Sequence, residues 1–225
     1  MIEELFDSSF YIYIMNRNEN TLKTWDKLAL NYQSKFMTMN LYDATYDLFC
    51  ENIKKDDASI LELGCGPGNI TKYLQDKNPN YSILATDTAP SMIELGKINV
   101  PKATFQLLDV RDMANLNQQF DAILGGFVLP YLNRIEAKQF IADSFQMLND
   151  NGILYFSCIE KDKSYAETQT SSDGKFTMEV NYHESGYLLQ TLKENNFETI
   201  TISRINYEKP GNLFDIHLVV IAKKK

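Results

Sequence analysis

Ile60-Leu61-Glu62-Leu63-Gly64-Cys65-Gly66-Pro67-Gly68-Asn69-Ile70-Thr71 is the stretch on which the reading of the chain turns. An apolar run enters a glycine-rich turn, and the turn opens a helical pattern. Glycine permits positive φ and lets a ligand lie against bare backbone. Such a turn sits at the carboxyl end of a strand, where open α/β sheets bind their ligands. A glycine loop by itself is a weak signal. The dinucleotide fingerprint reads Gly-x-Gly-x-x-Gly. Here the third glycine comes one residue early, and Glu62 stands two residues ahead of the first.

Outward from the loop, short apolar runs alternate with helical stretches. Strands are expected at Ser59–Leu63, Ser82–Thr86, Thr104–Leu108, Ala122–Gly126 and Ile153–Cys158. Helices are expected at Asn69–Lys77, Pro90–Ile98 and Arg134–Leu148. Continuous apolar strands separated by helices indicate a parallel sheet covered on both faces. Phe197–Tyr207 and Leu213–Ala222 are two further strand-like runs, joined by the turn residues Lys209-Pro210-Gly211-Asn212. Strands joined so tightly must be antiparallel.

Residues 1–20 read as irregular, with Phe10–Met15 as a short strand or a piece of a pocket lid. From Thr21 to Ile53 the pattern is helical; Leu22, Trp25, Leu28, Ala29 and Tyr32 share one face. Residues 159–186 read as a polar insert after the fifth strand, with Ser171-Ser172-Asp173-Gly174 as its turn and Phe176, Met178 and Val180 alternating. The whole chain, 1–225, is expected to be one domain, with 1–55 as an N-terminal helical cap and 159–186 as a lid.

The chain has 225 residues, enough to bury roughly 70% of its unfolded surface without metal or disulfide. Lys+Arg number 22 against 30 Asp+Glu, a formal net charge of −8. An acidic chain with no basic stripe is a poor polyanion binder. Neither nucleic acid nor an anionic membrane is expected as a partner. The basic cluster Lys223–Lys225 reads as a frayed terminus. The start, Met1-Ile2-Glu3-Glu4, is acidic where a secretory signal is basic. Cys50, Cys65 and Cys158 are scattered, which fits a reducing cytoplasm and no metal site.

Two more acids complete the pattern: Asp87 closes the second strand and Asp109 the third. With these residues in order, the chain resembles a class I S-adenosylmethionine-dependent methyltransferase from about Trp25 onward. Glu62 to Gly68 resembles the family's first motif. Thr86-Asp87-Thr88-Ala89-Pro90-Ser91-Met92 resembles its second, Asp109-Val110 its adenine-side motif, and Phe120 to Phe127 its fourth-strand motif. Leu148-Asn149-Asp150-Asn151-Gly152 resembles the turn before strand five, although Asn149 and Asp150 depart from the usual residues.

The resemblance implies a Rossmann-like, doubly wound seven-stranded sheet whose last strand is antiparallel. It implies S-adenosyl-L-methionine as cofactor, held by Glu62, Gly64, Cys65, Gly66, Gly68, Asp87, Thr88, Met92, Asp109 and Val110. In that scheme the backbone at Gly64 and Gly66 holds the methionine part and Asp87 takes the ribose diol. Met92 packs on the adenine, and Asp109 and Val110 meet its amino edge. Gly125 and Phe127 line the wall near the transferable methyl, and Trp25 or Tyr32 closes over the cofactor. Each position also has a plain structural reading. The glycines suit a tight turn, Asp87 and Asp109 suit helix starts, and Trp25, Tyr32 and Met92 suit an apolar face.

Methyl transfer needs alignment and exclusion of water, and a base only where the acceptor holds its proton. Candidates for an acceptor-side residue are Tyr131, after the fourth strand, and His183, before the helix Ser185–Asn195. His183 also reads as a helix-start residue, and His217 as structural. No Asn/Asp-Pro-Pro-Tyr segment or carboxylate cluster follows strand four, against nucleobase-amine and metal-dependent subclasses. The expected activity is methyl transfer to a small-molecule acceptor by a monomer or homodimer. A non-catalytic cofactor-binding partner and an NAD-dependent dehydrogenase are the alternatives.

Overall fold

The structure, a computed structural model, describes residues 8–170, 174, 177–209 and 211–225, with side chains from Thr21 onward. Strand β1 (Ser59–Leu63) lies inside a seven-stranded sheet. On one side of it run β2 (Ser82–Asp87) and β3 (Thr104–Leu107). On the other run β4 (Phe120–Gly125) and β5 (Leu148–Glu160). These five are parallel. The insert contributes a separate two-stranded antiparallel sheet, β6 (Tyr165–Thr170) with β7 (Thr177–Tyr182). The terminal hairpin of β8 (Phe197–Lys209) and β9 (Leu213–Lys224) completes the large sheet in the order β3-β2-β1-β4-β5-β9-β8. β9 is antiparallel to both its neighbours, as the short turn requires. The seven-stranded, doubly wound fold with an antiparallel last strand is therefore present.

Successive residues of β1 point to opposite faces and both faces are covered, which is why its apolar run has no polar alternation. Leu61 and Leu63 pack with Phe140 and Ile141 of α5 (Arg134–Met147) and Leu188 of α6 (Ser185–Glu194). Ile60 packs with Phe49 of α2 (Asp43–Asn52), Leu74 of α3 (Asn69–Lys77) and Ile93 of α4 (Pro90–Asn99). Burial of each such side chain contributes roughly 1.5–3 kcal/mol. After β1 the chain winds to β2 and β3, then returns to β4. The order reverses between β1 and β4, and that switch point opens a crevice at the strand ends.

Two sequence expectations need correction. Residues 8–20 are helical: α1 spans Ser8–Phe36, 29 residues, and takes in Phe10–Met15. The segment contains no glycine or proline to stop it. Its polar stretch Asn16–Asn20 masks the apolar periodicity there. The terminus is not frayed either. Lys224 belongs to β9, and its Nζ donates to the carbonyls of Phe145 and Leu148 at 2.8 and 2.7 Å. It neutralises the negative end of α5. Phe176, Ser171–Asp173 and Pro210 lie outside the described residues. Among the described residues no helix is long and apolar enough to cross a membrane.

Candidate functional site

A cavity of about 590 Å³ opens where β1, β2 and β4 end. Its floor is backbone at Gly64 and Gly66, with φ of +66° and +55°. A Cβ added at Gly64 would sit 2.6 Å from Val128 Cγ1; one at Gly66 would sit 3.4 Å from the Tyr32 ring. Positive φ and crowding both keep side chains out of this floor.

Asp87 stands at the end of β2 beside it. Its Oδ2 accepts the Gly66 N–H at 2.9 Å and its Oδ1 accepts the Ala89 N–H at 2.9 Å. Burial raises its pKa, and the amide N–H groups of Ala89, Gly66 and Thr88 work against that rise. Each carboxylate oxygen keeps a lone pair for a further donor. Thr88 and Met92 line the same wall, and Met92 packs on Ala29 and Ala89.

Three motif residues sit beneath the cavity and do not line it. Glu62 is fully buried, and its Oε2 accepts the Thr71 hydroxyl at 2.6 Å. Its Oε1 is buried with no partner among the described residues. Burial raises the Glu62 pKa to about 8, with the Thr71 hydroxyl opposing. Cys65 is packed in the core beside α3, and burial pushes its thiol up, away from the reactive thiolate. Gly68 caps α3 at a φ of +86° against Val100 and Phe105.

The facing wall carries Asp109, Val110 and Arg111. Asp109 Oδ1 accepts the Arg111 backbone N–H, capping the short 3₁₀ helix Val110–Leu116. The Arg111 guanidinium bonds both Asp109 oxygens at 3.0 Å, Glu136 Oε1 at 2.7 Å and the Tyr131 carbonyl at 2.8 Å. Glu136 also closes a capping box with Asn133 at the start of α5. Arg111, Asn133 and Glu136 line the cavity and were not among the sequence candidates. The Asn133-x-x-Glu136 spacing is a signal that could have found two of them, as the capping box of a helix start.

The segment after β4 forms the third wall. Gly125 is buried under Val128 and Phe140, so Gly126, Phe127 and Val128 line the cavity in its place. Phe127 holds a φ of +58°, unusual for an aromatic residue. Its N–H donates to Ser157 Oγ at 2.9 Å, and its ring packs against Tyr42 at 5.2 Å and His217 at 4.7 Å. Strain of this kind concentrates at functional sites. Tyr131 lines the cavity and meets the Trp25 ring edge-on at 5.9 Å; Trp25 meets Tyr32 at 5.4 Å. Burial raises the Tyr131 pKa, and the nearby Tyr32 and Asp87 add to it, so the hydroxyl is a donor rather than a base.

His183 is not in the cavity. It is 1% exposed, with Nε2 at 2.8 Å from the Leu129 carbonyl and Nδ1 bonded to the Tyr187 hydroxyl. The carbonyl fixes Nε2 as the donor, so Nδ1 accepts from Tyr187. Burial lowers its pKa. The ring anchors the segment after β4 and has no route to an acceptor. His217 is likewise internal: Nδ1 bonds the Tyr42 hydroxyl at 2.7 Å, and the ring stacks on Tyr207 at 4.6 Å.

The roof comes from Thr21 and Leu22 of α1 and from Ala166, Glu179 and Asn181 of the hairpin. Met178 and Tyr182 are on the other face of β7 and do not line the cavity, because side chains alternate along a strand. Tyr187 is buried beside α5. Among the described residues no cluster of His, Cys, Asp and Glu is arranged to hold a metal ion.

Residues 60–152 match the family described as methyltransferase domain. The malonyl-[acyl-carrier protein] O-methyltransferase of Anoxybacillus flavithermus (strain DSM 21510 / WK1) is 30% identical over 173 residues, 76% of this chain and 60% of that protein. The chain spans less than two thirds of the length of the curated relatives it matches. The DhpI–SAH complex superposes with a TM-score of 0.70 at 18% identity, over 92% of this chain and 96% of that one. The Burkholderia thailandensis 1,6-didemethyltoxoflavin-N1-methyltransferase, solved with bound 1,6-didemethyltoxoflavin and S-adenosylhomocysteine, superposes with a TM-score of 0.67 at 15% identity, over 100% of this chain and 93% of that one. At those identities the superpositions speak for the fold. Sequence match, strand order and the motifs at the strand ends agree: residues 60–152 match a methyltransferase domain, set in a chain with the fold of S-adenosylmethionine-dependent methyltransferases.

Proposed function

We propose that the chain transfers a methyl group from S-adenosyl-L-methionine to a small-molecule acceptor. The observation that carries this is the bare backbone of Gly64 and Gly66 beside the Asp87 carboxylate, in one cavity walled by Trp25, Tyr32 and Tyr131. The residues fit the cofactor chemically: a floor free of side chains, a carboxylate with spare acceptors for a diol, and apolar Met92 and Val110 for an aromatic base. When bound, the cofactor supplies an electrophilic methyl on a cationic sulfur.

The chain's own residues do the rest by position. Asp87 holds the ribose and, through Gly66, the shape of the loop. Thr88, Met92, Asp109 and Val110 bracket the adenine. Glu62, Cys65, Gly68 and Gly125 act from below, by fixing the floor and walls. Phe127 holds the wall nearest the acceptor, and Tyr131 donates a hydrogen bond there. α1 and the β6–β7 hairpin close the top of a single domain, and enclosure excludes water from the displacement.

The −8 charge argues against nucleic acid as acceptor. The relatives named for malonyl-[acyl-carrier protein] favour, as a second reading, an acceptor carried on a protein. Cys50, Cys65 and Cys158 are free and buried, in keeping with a cytoplasmic setting, and a monomer or homodimer is proposed.

The test is binding and label transfer. S-adenosylhomocysteine at about a hundred times its dissociation constant should stabilise the fold by ~2.7 kcal/mol. For this length that is roughly 5–10 °C in melting temperature. NAD should give no shift. Labelled cofactor should pass its methyl to a low-molecular-weight fraction of cell extract. A shift with NAD alone would overturn the family's chemistry here, and label in precipitable polymer would overturn the acceptor class.

A further inference from the structure

Asp109 lines the cavity just beyond β3 with most of its acceptor capacity already filled. A carboxylate offers roughly four lone-pair positions, two on each oxygen. Oδ1 of Asp109 accepts the Arg111 backbone N–H at 2.9 Å and Arg111 Nη1 at 3.0 Å. Oδ2 accepts the same Nη1 at 3.0 Å. Oδ1 is thereby full, and the open position is on Oδ2. The guanidinium that fills the rest is itself pinned. Its Nε donates to Glu136 Oε1 at 2.7 Å and its Nη2 to the Tyr131 carbonyl at 2.8 Å. Glu136 is held in turn, because its Oε2 accepts the Asn133 N–H at 2.7 Å. The Tyr131 N–H donates to the Val128 carbonyl at 3.0 Å, which fixes that segment. The Arg111 and Glu136 side chains are 26% and 25% exposed, so their bond is partly withdrawn from water. One planar fork thus joins the acid after β3 to α5 and to the segment after β4, across the switch point of the sheet.

We propose that Arg111 is the positioning residue for base recognition: it aims the open lone pair of Asp109 Oδ2 at the exocyclic amino group of the cofactor's adenine. This rests on the methyltransferase reading and deepens it, by naming what sets the choice of base. A carboxylate free to rotate would turn to water and tolerate a base without an amino group. A carboxylate held by the fork cannot turn, so such a base leaves its acceptor unpaired, which is costly in a closed site. Lysine is no substitute at this position. Its ammonium is a compact point charge on a flexible stem, and it cannot hold Asp109, Glu136 and a carbonyl in one plane.

The probes are S-adenosylhomocysteine and its 6-deamino analogue, in which hydrogen replaces the adenine amino group and nothing else differs. Calorimetry gives both affinities for each protein, and the readout is their ratio. The wild type should prefer S-adenosylhomocysteine by about tenfold or more, the worth of one hydrogen bond to a charged acceptor. Arg111→Lys keeps a cation beside both acids but loses the fork, and should cut that preference to about threefold or less. Glu136→Ala leaves Arg111 in place and frees its Nε, so it should lower the preference in the same direction. This second variant decides the matter alone if Arg111→Lys does not fold. A merely structural role would weaken both ligands together and keep their ratio. That result, a preference that survives in the folded variants, or no preference in the wild type overturns the proposal. Failure of the wild type to bind S-adenosylhomocysteine at all is a different result, and overturns the methyltransferase reading itself.

Discussion

The backbone N–H of Gly66 donates to Asp87 Oδ2 at 2.9 Å, which ties the turn after β1 to the acid that ends β2. The two residues are 21 apart in the chain and meet only because their strands are parallel neighbours. Asp87 thus shapes the floor of the cavity as well as presenting a carboxylate to it.

Asp87→Ala should lose twice, in contacts to a ribose and in the shape of the loop. Hydrogen bonds to a charged group are worth about 1.5–3 kcal/mol each. Calorimetry should show S-adenosylhomocysteine weakened at least about tenfold. Unchanged affinity would remove Asp87 from the site.

At the glycines, two substitutions should behave differently. Gly66→Val meets only the Tyr32 ring, 3.4 Å from the added Cβ, but strains a φ of +55°, so it should lose the cofactor and some stability while the protein stays folded. Gly64→Ala drives its Cβ to 2.6 Å from Val128, so its main cost should be stability, about 1–3 kcal/mol. Urea unfolding of both variants, beside their binding isotherms, separates the two effects.

Phe127 keeps its left-handed backbone by donating to Ser157 Oγ. Ser157→Ala leaves that N–H without its partner, and should cost about 1–3 kcal/mol of stability. A midpoint unchanged in urea would show that the strained turn is held by its ring contacts alone.

Glu62 should make stability depend on pH. Its folded pKa, about 8, lies above the ordinary value of 4.5. The unfolded chain therefore gives up this proton first, and stability falls as pH rises from about 4.5 to about 8. Glu62→Gln should flatten that slope, by up to about 1.4 kcal/mol per pH unit. His217 works in the opposite direction: burial lowers its pKa to about 4, so its contribution is present above 6.5 and is lost as pH falls toward 4. Urea midpoints from pH 4 to pH 9 for the wild type and Glu62→Gln test both signs. A parallel pair of curves would mean that Glu62 does not titrate in this window.

Most of the fold was determined locally. The apolar β1 run, its glycine turn and the helices after it are set by residues close in sequence, so their period and turn chemistry could be read directly. Asp87 and Asp109 at strand ends were legible for the same reason. What only the tertiary structure decided depends on contacts between distant segments. Arg111 enters the site because Asp109, Glu136 and Tyr131 converge on it from three different elements. His183 leaves it because Leu129 and Tyr187 take both its ring nitrogens. Lys224, read as part of a loose tail, is held by the end of α5, which lies nearly eighty residues earlier in the chain. Glu179 faces the cavity, and Met178 does not, because the pairing of β7 with β6 sets which face of the strand points inward. A one-residue change of that face is invisible in composition, and it sets which side chains of the hairpin reach the cavity.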